Sequence, residues 1–119
     1  MAANPVVPTP ELQLTTEKNP GEAIVRSAGR ITSSSAGLLQ NTVRALIPGT
    51  KRVVLDLKDV SYIDSSGIGA LVSVYMTAAR SKCELELVNL QPRIKDIFEI
   101  TKLTAVFESR GGYSGLSSE

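Results

Sequence analysis

Apolar and polar positions change their spacing several times along the chain, and each change marks an element. Leu12-Gln13-Leu14-Thr15-Thr16 alternates with period two, as a short strand does. Glu17-Lys18-Asn19-Pro20-Gly21 is turn chemistry, and Ala23-Ile24-Val25-Arg26-Ser27-Ala28 reads as the returning strand of a hairpin, ended by Gly29. Ala36, Leu39, Val43, Leu46 and Ile47 then recur at helical spacing, with Ser33, Ser34 and Ser35 offering N-caps and Pro48-Gly49 a stop. Val53-Val54-Leu55-Asp56-Leu57 is an apolar, β-branched run of strand length. Lys58 to Asp64 reads as a connection, and after Ser65-Ser66-Gly67 a second helical pattern runs through Ile68, Leu71, Val72, Tyr75 and Ala79. Cys83 to Val88 alternates cleanly again, and Pro92 opens a third helix with Ile94, Ile97 and Phe98 inward. Thr104-Ala105-Val106-Phe107 reads as a last short strand.

The order β-β-α-β-α-β-α-β predicts a single α/β domain with a mixed, mainly parallel sheet of four to five strands joined by right-handed crossovers. Glu84 and Glu86 fall on one strand face and Cys83, Leu85 and Leu87 on the other. Val53, Leu55 and Leu57 likewise oppose Val54 and Asp56. A sheet covered on both faces seldom alternates in this way, so the helices are expected mainly on one face. The domain is expected over residues 11–108, with a flexible leader at 1–10 and a flexible Gly- and Ser-rich tail at 109–119.

Composition narrows the chemistry. The 119 residues suit one domain, and 42% hydrophobic with 21% charged residues is an ordinary globular balance. Thirteen Lys and Arg against twelve Asp and Glu leave a net charge of +1, and the basic residues are scattered with few aromatics among them. Nucleic-acid binding, which needs a basic stripe or stacking rings, is not expected. The chain has no histidine, which removes Ser-His-Asp and Cys-His catalysis and the commonest metal ligand. Cys83 is the sole cysteine and reads as a buried, inert thiol. No metal or cofactor is expected. The leader lacks the basic and apolar regions of a signal peptide, and the apolar stretch from Ile68 to Met76 is too short to span a bilayer. A cytoplasmic protein without membrane insertion is expected.

The densest signal runs from Val53 to Gly69. It describes a buried strand, a connection, and a helix start made of hydroxyls and small residues. Free N–H groups and the positive dipole end there favour an anion, and Gly67 and Gly69 would let a partner's backbone approach. Such a site lies beyond the carboxyl end of a parallel strand, where open α/β sheets carry function. Taken alone, Asp64-Ser65-Ser66-Gly67 is an N-cap, and no Gly-Lys-Ser/Thr follows to make a phosphate-binding loop.

Taken whole, the stretch resembles the STAS family, named for sulfate transporters and anti-sigma factor antagonists, and especially its free-standing bacterial antagonists. The matching residues are Leu55-Asp56-Leu57, Asp59-Val60, Tyr62-Ile63 and Asp64-Ser65-Ser66-Gly67-Ile68-Gly69. Leu87-Val88-Asn89-Leu90 with Pro92, and Ile97 to Leu103, resemble the family's closing strand and helix. The resemblance covers roughly residues 10 to 108 and implies a single STAS-like domain.

It further implies an anti-sigma factor antagonist that binds an anti-sigma factor serine kinase and frees the sigma factor. Phosphorylation of Ser65 would switch it off, and a metal-dependent serine phosphatase would reset it. The implied partner-binding residues are Asp64, Ser65, Ser66, Gly67 and Gly69, with Thr32 and Ser33 in the neighbouring loop. Thr32 stands where the family carries an acidic residue. A non-switched STAS subunit of a lipid transporter or signalling scaffold is the alternative. An enzyme is not expected, because Asp64 and Ser65 have no histidine or second carboxylate beside them in the motif.

Overall fold

The computed structural model describes residues 11–100. A two-residue turn at Pro20-Gly21 joins β1 (Leu12–Asn19) to β2 (Glu22–Ile31) as an antiparallel hairpin. Gly21 takes φ 76°, a left-handed conformation that glycine adopts without cost. There follow α1 (Ala36–Leu46), β3 (Arg52–Ile63), α2 (Ser65–Arg80), β4 (Glu84–Val88) and α3 (Pro92–Ile100). The sheet order is β1-β2-β3-β4, with β2, β3 and β4 parallel. Because the parallel strands advance in one direction, right-handed crossovers put α1 and α2 on the same face, where they pack together. The expected mixed, mainly parallel sheet is present with four strands among the described residues; the strand expected at Thr104–Phe107 lies outside them.

The core lies between that face and the helices. Val25, Val53, Leu55, Leu57 and Leu87 from the sheet meet Leu39 and Val43 of α1, Leu71 and Val74 of α2, and Ile94 and Phe98 of α3. The opposite face is held by charge. Arg26 pairs with Glu17 at 2.7 Å, and Arg52 bridges Glu22 and Glu86 across three strands. Glu86 is buried with its carboxylate against Arg52, so its polar position in the alternation does not make it solvent-facing. Cys83 is buried just before β4, and desolvation raises its pKa.

Two expectations about local structure change. Of the connection expected at Lys58–Asp64, all but Asp64 belongs to the second half of β3. Between Arg26/Asp56 and Ala28/Asp59, and again between Gly29/Val60 and Arg30/Tyr62, β3 carries one more residue than β2. These bulges space the buried residues Leu57, Val60 and Ile63 by three, which hides the strand from a period-two reading. Nor does Gly29 end β2. It sits mid-strand at φ 122°, where a β-carbon would stand 2.2 Å from the carbonyl oxygen of Glu11.

Candidate functional site

The bulged half of β3 carries the chain out past the sheet to Asp64, which is extended at φ −107° and ψ −174°. Its Oδ1 accepts the Gly67 N–H at 2.9 Å, its carbonyl accepts the Ile68 N–H at 2.9 Å, and its own N–H donates to the Ile31 carbonyl at 3.1 Å. Asp64 is thus a true N-cap that also ties α2 to the end of β2. Ser65 and Ser66 are the first two residues of the helix and both are exposed. Their N–H groups precede the first intrahelical bond, so the Ser65 hydroxyl lies beside free donors at the positive end of a sixteen-residue helix.

The two glycines differ. Gly69 is exposed, and a β-carbon there would meet nothing within 4 Å. Gly67 is buried, and a β-carbon there would stand 2.3 Å from the Ile31 carbonyl oxygen and 2.6 Å from Cγ1 of Ile63. The expectation that Gly67 keeps the surface open to a partner is corrected: its missing side chain lets α2 close onto β2.

The β2–α1 connection lies against this helix start through Ile31. Thr32, expected to face a partner, is buried, and its hydroxyl is used internally. Its Oγ1 donates to Glu11 Oε2 at 2.7 Å and accepts the Ser34 N–H at 3.3 Å. Ser33 is exposed, as a contact residue must be. The serines do not cap α1 as expected. Ser35 occupies the N-cap position, but its Oγ accepts the Thr32 N–H at 2.9 Å and donates to the Arg30 carbonyl at 2.7 Å, closing the loop on itself.

Sequence reasoning missed two residues here. Arg30 lays its guanidinium 5.2 Å from the centre of the half-exposed Tyr62 ring, its register partner on β3, a cation–π pair at the mouth of the loop. Glu11 reaches Thr32 from twenty-one positions away in sequence. Neither pairing has a local signal.

Among the described residues no three His, Cys, Asp or Glu side chains cluster to hold a metal, and no helix is long and apolar enough to cross a membrane. Cavities of about 180 and 190 Å³ open at the other end of the sheet, one bordered by Cys83 and Leu85 and the other by Gly21 and Thr50. What converges at Ser65 is an exposed hydroxyl, the free N–H groups of a helix start and the small, exposed residues Ser66 and Gly69.

Comparison with known proteins identifies the family and the fold. The STAS domain profile matches residues 13–114. The anti-sigma-B factor antagonist of Bacillus subtilis is 32% identical over 100 residues, covering 81% of this chain and 92% of that protein. The crystal structure of an anti-sigma factor antagonist from Mycobacterium paratuberculosis superposes with a TM-score of 0.74 at 20% identity, covering 93% of each chain. The Bacillus cell fate determinant SpoIIAA in its phosphorylated form superposes with a TM-score of 0.64 at 16% identity, covering 78% of this chain and 86% of that one. By the extent of the profile match and by its identity to the Bacillus subtilis protein, the chain belongs to the STAS domain family.

Proposed function

We propose that this protein is an anti-sigma factor antagonist, a cytoplasmic binding protein rather than an enzyme, whose affinity for its anti-sigma factor is set by phosphorylation of Ser65. The observation that carries the reading is the placement of Ser65: exposed, first in α2, and directly after an Asp64 whose carboxylate is already engaged with Gly67 N–H. That arrangement leaves the Ser65 hydroxyl accessible to a kinase. Support also comes from the relatives named as antagonists of anti-sigma factors, one of which, the anti-sigma factor antagonist SpoIIAA, has been solved in its phosphorylated form.

The partner is an anti-sigma factor that is itself a serine kinase, and a metal-dependent serine phosphatase reverses the modification. The contact surface is built from Asp64, Ser65, Ser66 and Gly69, with Ser33 beside them; Gly67 and Thr32 support it from beneath. A phosphate on Ser65 adds about −1.5 to −2 charge next to Asp64. Within the domain the free first-turn N–H groups and helix dipole offset the repulsion, each effect being on the order of 1 kcal/mol or less. In a closed interface nothing offsets the added charge, and the complex separates. Intact-mass analysis of the protein purified from its own host tests this. A fraction heavier by one phosphate, mapped to Ser65 and lost in Ser65→Ala, is expected; a phosphate persisting in Ser65→Ala refutes the assignment.

A further inference from the structure

We propose that Glu11 is a positioning residue of the switch: through Thr32 it fixes the β2–α1 connection against the helix start that presents Ser65. The inference rests on Ser65 being the phosphoacceptor, and it adds a residue that no motif includes. Three links join Glu11 to Ser65. Glu11 holds β2 by main chain and side chain together. Its carbonyl accepts the Arg30 N–H at 2.9 Å, and Gly29 lets the two backbones come that close. Its carboxylate accepts the hydroxyl of Thr32 at 2.7 Å. The adjacent residue, Ile31, supplies the carbonyl that takes the Asp64 N–H and against which Gly67 is seated. Asp64 in turn caps the helix whose first residue is Ser65.

The carboxylate is needed because Thr32 is buried. Its hydroxyl proton has one acceptor, Glu11 Oε2, while its lone pair holds the Ser34 N–H. Without that acceptor the buried hydroxyl must turn to find another, and in turning it releases Ser34 and the exposed Ser33. Arg30 does not substitute for Thr32 as the carboxylate's anchor. Its Nε is 4.0 Å from Glu11 Oε2, and its side chain is 58% exposed.

The test adds purified protein and ATP to an extract of its own host and reads the initial rate of phosphate incorporation at Ser65, with Ser65→Ala as blank. Glu11→Ala should slow labelling about fivefold or more, since a small misplacement of a reacting group is amplified in rate. Glu11→Gln keeps an oxygen for Thr32 and should stay within about twofold of wild type. Thr32→Val should match Glu11→Ala, and the double variant should be no slower than either, because the two act as one unit. Amide resonances of Ser65 and Ser66 should shift in Glu11→Ala and return in Glu11→Gln with no partner present. A wild-type rate in Glu11→Ala, a Gln variant as slow as Ala, multiplied losses in the double variant, or unmoved Ser65 and Ser66 resonances would each overturn the inference. No Ser65-dependent label in the wild type would overturn the functional reading, and this inference with it.

Discussion

Adding one methyl group at Gly67 should destabilise the domain, while the same methyl at Gly69 should stabilise it slightly. Both positions lie in the first turns of α2, so both gain about 0.5–1 kcal/mol in helix propensity from Gly→Ala. What separates them is packing. At Gly69 the new β-carbon meets nothing within 4 Å, whereas at Gly67 it stands 2.3 Å from a backbone oxygen of Ile31, which has no rotamer by which to retreat. Overpacking a well-filled site costs about 1–3 kcal/mol, and contact with fixed backbone argues for the upper end. The net loss at Gly67 is then about 2 kcal/mol. For a domain of this size that lowers Tm by roughly 8–10 °C, against a rise of a few degrees for Gly69→Ala. Urea and thermal unfolding of the two variants beside wild type measure the difference. Equal Tm values for Gly67→Ala and Gly69→Ala would refute the packing of α2 onto Ile31.

Loss of the cap in Asp64→Ala should cost about 1 kcal/mol by urea denaturation, with Asp64→Asn retaining most of it. Thr32→Asp should destabilise by about 1–3 kcal/mol, because it replaces a donor to Glu11 with a second carboxylate in a buried position; the melting temperature should fall accordingly. Burial first, and the Glu84 carboxylate second, raise the Cys83 thiol pKa. Cys83 should therefore alkylate far more slowly in the folded protein than in urea. A raised folded pKa means that the thiol's contribution to stability is intact below its unfolded pKa and declines as pH rises above it, which a pH series of melting curves will show.

Where periodicity was regular, the elements were legible. Ala36, Leu39, Val43 and Leu46 mark the buried face of α1, and Leu85 and Leu87 the core face of β4, because a single helix or strand face meets a single core. The second half of β3 was not legible, since its bulges replace a period of two with a period of three at Leu57, Val60 and Ile63. At the site, Asp64 as cap and Ser65 as an exposed hydroxyl followed from local chemistry. The burial of Gly67 and Thr32 did not. Both depend on how closely β2 approaches α2 and β1, which is settled by Ile31 and Glu11, residues remote in sequence. A glycine in a motif reads equally well as open surface or as close packing until its neighbours are known.

The central claim is that a phosphate on Ser65 changes affinity and leaves the fold alone. The measurement is the Kd of the complex with the anti-sigma factor, for the unmodified protein and for protein carrying phosphoserine at position 65, with amide spectra and Tm recorded on both forms. An unpaired charge buried in an interface costs roughly 2–5 kcal/mol. Kd should therefore rise by at least about thirtyfold, at 1.4 kcal/mol per decade, while spectra change only around α2's first turn and Tm barely moves. An unchanged Kd, or a global spectral change with affinity preserved, would contradict the account.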